Sequence, residues 1–468
     1  MQFPTYLSFP ILSKILEKII AEQLVKYLNL NNILHKHQYG FQTKKSTIHP
    51  IMHLINNISK ASNEKKITIG VFADISKAFD CINHNLLIKK LEKIGIRGIS
   101  LNWFKNYLEN RKQFVYVNGK KSEYLSINKG CPQGSILAPI LFLIYINDLP
   151  NVTDLFTLLF ADDTSFLISG KNLNEIITKL NVELKKVADW FRANELSLNP
   201  EKTKFMIFNK NHDSIQWDEI DIYLDFNNSN QNNTNLKSKL EYVNKYSPNP
   251  TIKFLGLYLD SELSFKFHIK EVQNKMSKSL YILRQVSKFL CKDSLKSLYF
   301  SFIHSHLLYC LPIWSCTAKC NLEGVIRIQK KAIRIISGSR YNAHTANLFK
   351  QLEILPLEQL ILFTKLNFMY DYLNEKLPKS FANTWNRNND LNRRTIRNGN
   401  LLNVPFGRNE TIKRYPYFNF PIIWNQNCEN DLLNAEIRRG PFLKTLKTFL
   451  FLDVETNCNN IHCHECIN

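Results

Sequence analysis

Two adjacent carboxylates, Asp162 and Asp163, lie between the apolar run Leu155 to Leu159 and the strand-like Phe166-Leu167-Ile168-Ser169. The pattern predicts a β-hairpin with its charges at the tip. Acids are depleted in strands and costly near a core, so two side by side on a tight turn point to a bound cation that neutralises them. A solvated Asp-Asp turn is the plainer alternative. A third acid, Asp74, ends the β-rich run Ile67 to Asp74 and is followed at once by Ile75-Ser76-Lys77-Ala78-Phe79-Asp80 and a helical pattern over Cys81 to Ile94. Between these acids in sequence, Gly130-Cys131-Pro132-Gln133-Gly134-Ser135 forms a Gly/Pro turn that opens an apolar helix over Ile136 to Ile146, with Pro139 tolerated in its first turn.

The elements that must hold these residues follow from periodicity. A helix opens at Pro10, with Leu12, Ile15, Leu16, Ile19, Ile20 and Leu24 as its packed stripe and Lys14, Glu17 and Lys18 away from it. The loop Gln38 to Thr47 leads into a helix with the apolar face Ile51, Met52, Ile55 and Ile58. A short helix covers Leu101 to Leu108. A hairpin pairs Phe114-Val115-Tyr116-Val117 with Tyr124-Leu125-Ser126-Ile127 around Asn118-Gly119. A helix over Leu173 to Asn194 precedes the strand Phe205 to Phe208. Strand, helix, hairpin, helix and strand in that order predict an α+β architecture, an antiparallel sheet backed by helices. Asn211 to Pro250 reads as a polar insertion with little fixed structure, and Thr251 to Asp260 returns to strand. From Ser264 onward the chain is helical. Over Val325 to Ile336, the stripe Val325, Ile328, Ala332 and Ile335 opposes the basic face Arg327, Lys330, Lys331 and Arg334, which could track a phosphate backbone or simply be solvated.

A formal net charge of +21 over 468 residues suits a polyanionic partner. Nucleic acid is the better candidate than a membrane, because the longest apolar stretch is too short to span a bilayer. With no secretory signal visible near Pro4 to Leu12, the ten cysteines read as reduced thiols and the protein as intracellular, in cytoplasm and nucleus, rather than secreted. At the C-terminus, Cys458, Cys463 and Cys466, with His462 or His464, offer soft ligands for zinc. Free thiols on a loose tail are the alternative.

The stretches Phe72 to Asp80, Pro132-Gln133-Gly134-Ser135-Ile136-Leu137 and Phe160-Ala161-Asp162-Asp163 together resemble the reverse transcriptase of non-LTR (LINE-type, jockey-like) retrotransposons. The likeness runs from about Pro10 into the 340s and more loosely to the end. It implies a polymerase right hand with partial fingers and an antiparallel-sheet palm backed by helices in residues 1–260, a helical thumb in 261–340 and a C-terminal extension in 341–468. The implied activity is RNA-directed DNA synthesis. A DNA primer would be extended on an RNA template from deoxynucleoside triphosphates, with two magnesium ions held by Asp74, the carbonyl of Ile75, Asp162 and Asp163. By the same resemblance Phe79 excludes a ribose 2′ hydroxyl, Gln133 and Gly134 line the nucleotide pocket, and Lys202 protonates the leaving pyrophosphate. The loop carrying Gln42, Lys44 and Lys45 grips the triphosphate, although related enzymes carry Arg where Gln42 stands, and a neutral amide gives phosphate weaker bonds. The dissimilar Phe3 to Leu7 suggests a chain beginning inside the fingers, and with Gln42 it keeps open a decayed copy that binds nucleic acid without polymerising. Regions specific to group II intron or telomerase enzymes are not recognisable, nor is an endonuclease domain, so extension of existing primers is expected. Oligomeric state is not legible.

Overall fold

The computed structural model describes residues 11–109, 112–117, 119–132, 134–199, 201–208, 220–225, 237–391, 401–428 and 438–456. Contacts gather the chain into two compact units, residues 1–50 with 66–244 and residues 51–65 with 245–468.

In the first unit the chain runs α1 (Ile11–Leu30), the first turn of α2 (Ile48–Asn63), β1 (Ile67–Ser76), α3 (His84–Lys93) and α4 (Gly98–Leu108). Four short strands follow, β2 (Lys112–Gln113), β3 (Tyr116–Val117), β4 (Lys120–Lys121) and β5 (Leu125–Ser126), then α5 (Ala138–Ile146). The sheet is completed by β6 (Phe156–Phe160), β7 (Asp163–Gly170), β8 (Ser197–Leu198) and β9 (Lys204–Phe208), with α6 (Leu173–Ala193) between β7 and β8. After β9 come β10 (Tyr223–Asp225), β11 (Lys237–Lys239) and β12 (Glu241–Tyr242). Strand order is β12-β9-β1-β7-β6, antiparallel except for the β12/β9 pair, with β8 on the end of β1. This is the expected α+β class. Side chains alternate along a strand, so Ile69, Val71, Ala73 and Ile75 of β1 share one face with Phe166 of β7 and with Phe205 and Ile207 of β9. That face forms a single core with α3, α5 and α6. Helix α5 is apolar all round and therefore central, with Ile140 through Ile146 buried. Its start is set by Ser135, whose Oγ accepts from the backbone N–H of Leu137 and Ala138 at 3.1 and 3.2 Å.

Helix α1 departs from its expected packing. Leu24 is buried and Ile20 touches the core, but Leu12, Ile15, Leu16 and Ile19 are exposed, while Glu17, expected on the solvent side, is 2% exposed. The cause is polar. The Glu17 carboxylate accepts from Ser135 Oγ and the Ile136 N–H, each at 2.8 Å, and from Tyr107 Oη at 3.1 Å. Three donors compensate a buried carboxylate that would otherwise be costly, and they rotate the helix so that Ala21, Leu24 and Leu28 face inward. The insertion after β9 also departs from expectation in its described parts. Ile220, Ile222, Leu224 and Leu240 belong to the core, and β12 extends the sheet.

The second unit is helical. Most of α2, expected among the fingers, packs here. The His53 ring lies 4.0 Å from that of Phe381, the Lys60 ammonium sits 3.8 Å over Tyr417, and Asn63 Nδ2 donates to the Phe406 carbonyl at 2.9 Å. Residues Thr251 to Asp260, expected as one strand, fold into a hairpin, Ile252–Phe254 against Leu257–Leu259, because Leu255 and Gly256 both take positive φ. The helix Lys319–Ser337 buries Val325 and Ala332 as expected, while Gln329, Ile333 and Ile336 complete the seam and Ile328 and Ile335 stay half-buried. Gln329 is satisfied by Tyr299 Oη, the Leu355 carbonyl and the Leu357 N–H.

Two substitutions separate the observed packing of α1 from the periodic one. Glu17→Ala removes the acceptor of three hydrogen bonds. Tyr107 and Ser135 can still pair with each other at 2.7 Å, but the Ile136 N–H loses its partner, and the change should cost about 2–4 kcal/mol. Leu12→Ala should stay within about 0.5 kcal/mol of wild type. Urea unfolding of both variants measures the difference, and equal costs would refute the observed orientation.

Candidate active site

The register of β1 and β7 places Asp74 directly opposite Asp163. Because Phe160 of β6 pairs with Asp163, only Ala161 and Asp162 form the turn between β6 and β7. Ala161 has φ +56°, a left-handed conformation that a residue with a Cβ rarely adopts. Gln38 holds it there. This fully buried side chain accepts with Oε1 from the Ala161 N–H at 3.2 Å and from the Gly40 N–H at 2.9 Å. The preceding loop is pinned to β6 by Tyr39 N–H to the Leu159 carbonyl, 2.8 Å, and Leu159 N–H to the His37 carbonyl, 3.0 Å. At Gly40 a Cβ would stand 2.3 Å from the Ala161 nitrogen, so no other residue fits this approach.

Asp74, Ile75, Phe79, Asp162 and Lys202 line one cleft of about 450 Å³, together with Asn199. Asn199 donates its N–H to the Asp74 carbonyl at 2.8 Å, and its Oδ1 accepts from the N–H groups of Glu201 and Lys202. This turn delivers the Lys202 ammonium to 3.3 Å from Asp74 Oδ2. The Phe79 ring stands between those of Phe41 and Phe142, at 6.1 and 5.0 Å. Behind it the turn before α5 is tied down by Cys131 N–H to the Phe79 carbonyl, 2.8 Å. Gly130 there has φ +87° and packs on the Asp80 backbone, and Gly134 has φ +88°. Gln133 lies outside the described residues.

The carboxylates are crowded. Burial first, and Asp74 as the like-charged neighbour, push Asp162 above the usual carboxylate range, partly opposed by a backbone hydrogen bond and Lys202. Asp163 is pushed up to about 6, by burial first and then by Asp162 and Asp74. Its side chain still reaches solvent, which moderates the burial contribution, while the neighbouring charges act regardless. Hard oxygen donors that repel one another are the donor set for a hard divalent cation. Among the described residues no group of three or more His, Cys, Asp or Glu forms a ready cage.

The loop residues are placed differently from one another. Gln42 Nε2 and Lys45 Nζ both donate to the Gln38 carbonyl, at 2.8 and 2.6 Å, and burial lowers Lys45 to about 8. Lys44 is exposed. In the other unit Arg327, Lys330 and Lys331 are exposed, but Arg334 is half-buried and gives its Nε to the Ala343 carbonyl at 2.8 Å. Cys458, His462, Cys463, His464 and Cys466 lie outside the described residues. Sequence reasoning assigned no role to Gln38, Glu17 or Asn199. The Asn-Pro pair at 199–200 does carry a turn signal that could have marked the last.

A family profile described as reverse transcriptase (RNA-dependent DNA polymerase) matches residues 7–259, just over half of the chain. The chain is 28% identical over 361 residues to a probable RNA-directed DNA polymerase from transposon BS of Drosophila melanogaster, covering 75% of this chain and 38% of that one. It is 27% identical over 363 residues to the RNA-directed DNA polymerase from mobile element jockey of the same species, covering 75% and 37%. The chain thus spans a little over a third of the length of these curated relatives. An apo telomerase structure from Candida Tropicalis aligns at 14% identity and a TM-score of 0.40, over 72% of this chain and 52% of that one, too slight a likeness to argue from.

The carboxylate crowding has a pH signature in metal-free protein. Folded Asp163 keeps its proton to about 6, against 3.8 for the ordinary side chain, so its contribution to stability is complete below the lower value and lost as pH rises through the upper one. Subtracting an Asp163→Asn stability profile from that of wild type in chelator should therefore give a difference that falls between about pH 4 and 6. Parallel profiles would mean that Asp163 is not crowded.

Proposed function

The chain belongs to the reverse transcriptase family, and on that premise we propose that it is an RNA-directed DNA polymerase of a non-LTR retrotransposon, extending a DNA primer on an RNA template with deoxynucleoside triphosphates. The observation that carries this reading is the register that sets Asp74 opposite Asp163, with Asp74 and Asp162 lining one open cleft. Asp74, Asp162 and the Ile75 carbonyl, with Asp163 adjacent, would hold two magnesium ions, which when bound stabilise charge on the attacking and leaving oxygens of nucleotidyl transfer. The chain's own contribution is placement. Gln38 and Gly40 fix the turn that carries Asp162, and Asn199 fixes both the Asp74 backbone and Lys202. Lys202 stands at the cleft as the ammonium that gives a proton to departing pyrophosphate, and its pairing with Asp74 keeps it close. Phe79, backed by Phe142, cannot retreat from a sugar in the cleft, so it excludes a 2′ hydroxyl by bulk. Gln133 and Gly134 approach the incoming nucleotide, and Lys44 reaches its triphosphate. Arg327, Lys330 and Lys331 track phosphates in a thumb over residues 261–340, with fingers and palm in 1–260 and an extension in 341–468. Zinc on the C-terminal cysteines and histidines, and action in cytoplasm and nucleus, complete the proposal.

A second reading, nucleic-acid binding without polymerisation, is favoured by one observation. Gln42 and Lys45 are spent on the Gln38 carbonyl rather than turned outward.

Primer extension on an RNA template with magnesium decides between these readings. Wild type should synthesise DNA, and Asp74→Ala or Asp162→Ala should reduce the rate at least a thousandfold while template binding changes little. Binding without extension by wild type would favour the second reading, and full activity in both variants would remove the site assignment. In the same assay Phe79→Ala should raise ribonucleotide over deoxynucleotide incorporation by tenfold or more. An unchanged ratio would leave Phe79 a packing residue.

A further inference from the structure

Between Lys112 and Lys129 the described residues are exposed apart from half-buried Ile127. In this hairpin Tyr116 pairs with Lys121 and Val117 with Lys120, and Gly119 between them has φ +80°. Residues opposite one another, or two apart on a strand, share a face, so Phe114, Tyr116 and Lys121 stand together. Tyr124 joins them, its ring edge-on to Phe114 at 5.2 Å. The Lys121 ammonium lies 4.1 Å over Phe114 and 4.3 Å over Tyr124, and donates to Tyr124 Oη at 2.6 Å. Two rings, Phe114 and Tyr124, 43% and 57% exposed, thus hold one cation in open solvent, and Tyr116, 67% exposed, stands at the register position opposite it.

A two-stranded ribbon is marginal by itself, and clustered apolar rings in water mark a surface that something covers. The charge selects the occupant. Four lysines stand against one glutamate between 112 and 129. A single strand of nucleic acid meets both demands, with bases on the rings and phosphates against the ammonium groups. A duplex hides its base faces and would meet only the lysines. The base of the hairpin is also fixed to the segment after Asp74, through the Asn83/Lys129 bridge and the Gly130 N–H to Ile82 carbonyl bond of 2.7 Å. We propose that the Phe114, Tyr116, Lys121 and Tyr124 face is a binding site for single-stranded nucleic acid, stacking its bases on a hairpin anchored to the segment that follows the strand carrying Asp74. The site binds whether or not the chain polymerises.

The test is fluorescence anisotropy on the full chain in EDTA without nucleotide, using a labelled uridine dodecamer and a duplex of equal length. Replacing the rings together, Phe114→Leu, Tyr116→Leu and Tyr124→Leu, keeps apolar bulk but removes the π faces. It should weaken the single strand at least tenfold and leave duplex affinity and the salt slope unchanged. Lys120→Ala with Lys121→Ala should weaken both ligands and flatten the single-strand salt slope by about 1.4. Tyr116→Trp should hold or tighten the single strand, which guards against a loss caused by misfolding. A leucine variant that binds the single strand like wild type, or that loses both ligands alike, overturns the proposal, as does a Tyr116→Trp variant that no longer binds. Because no metal or nucleotide is present, failure here leaves the polymerase reading standing, and failure of primer extension leaves this site standing.

Discussion

Antiparallel pairing of β1 with β7 forces one carboxylate to face another, and the rest of the first unit is arranged to make that tolerable. A register one residue different would turn Asp74 to the opposite face and send Ile69, Val71 and Ala73 out of the core, so apolar burial holds the like charges together. The turn beside them is held from outside its own hairpin. A buried glutamine amide takes the Ala161 N–H, and glycine at position 40 leaves room for the Ala161 backbone. Backbone strain at a single alanine is thus stabilised by a loop more than a hundred residues earlier in the chain.

A second polar device works at the other end of the same core. Glu17 gathers the Ser135 hydroxyl and the Ile136 N–H where α5 begins, and Ser135 in turn takes the N–H groups of Leu137 and Ala138. An apolar helix such as α5 could slide or rotate in a greasy core with little penalty. Hydrogen bonds at its entry are directional, and they fix where the turn containing Gly134 stands relative to Phe79 and Asp80.

Local patterns were legible in the sequence, and long-range polar contacts were not. The alternating run around Val71 and the acids at 162–163 gave β1, the β6/β7 hairpin and the three carboxylates, because period-two burial and turn chemistry are local. Helix α1 shows the limit. Its threefold and fourfold spacing of Leu12, Ile15, Leu16 and Ile19 is real, yet the buried face was chosen by Glu17 through partners about 120 residues away. Gln38 was unreadable for the same reason, since nothing near it in sequence marks the Ala161 amide as its partner. The strand expected over 251–260 folded back because Leu255 accepts a left-handed φ, a conformation leucine does not advertise.

Helix α2 carries a consequence of its own. Ile51, Met52, Leu54 and Ile55 are fully buried within a unit whose remaining residues begin at Lys245. The chain therefore enters that unit, leaves it and returns, so no single cut separates the two units cleanly. On the ribosome α2 emerges well before Phe381, Phe406 and Tyr417, which it packs against, a delay of roughly 15 to 70 s at ordinary elongation speeds. During that interval a ready apolar helix has no partner in the nascent chain. Burial of residues 51–58 thus waits on the second half of the chain, so the two units finish folding late and together rather than one after the other.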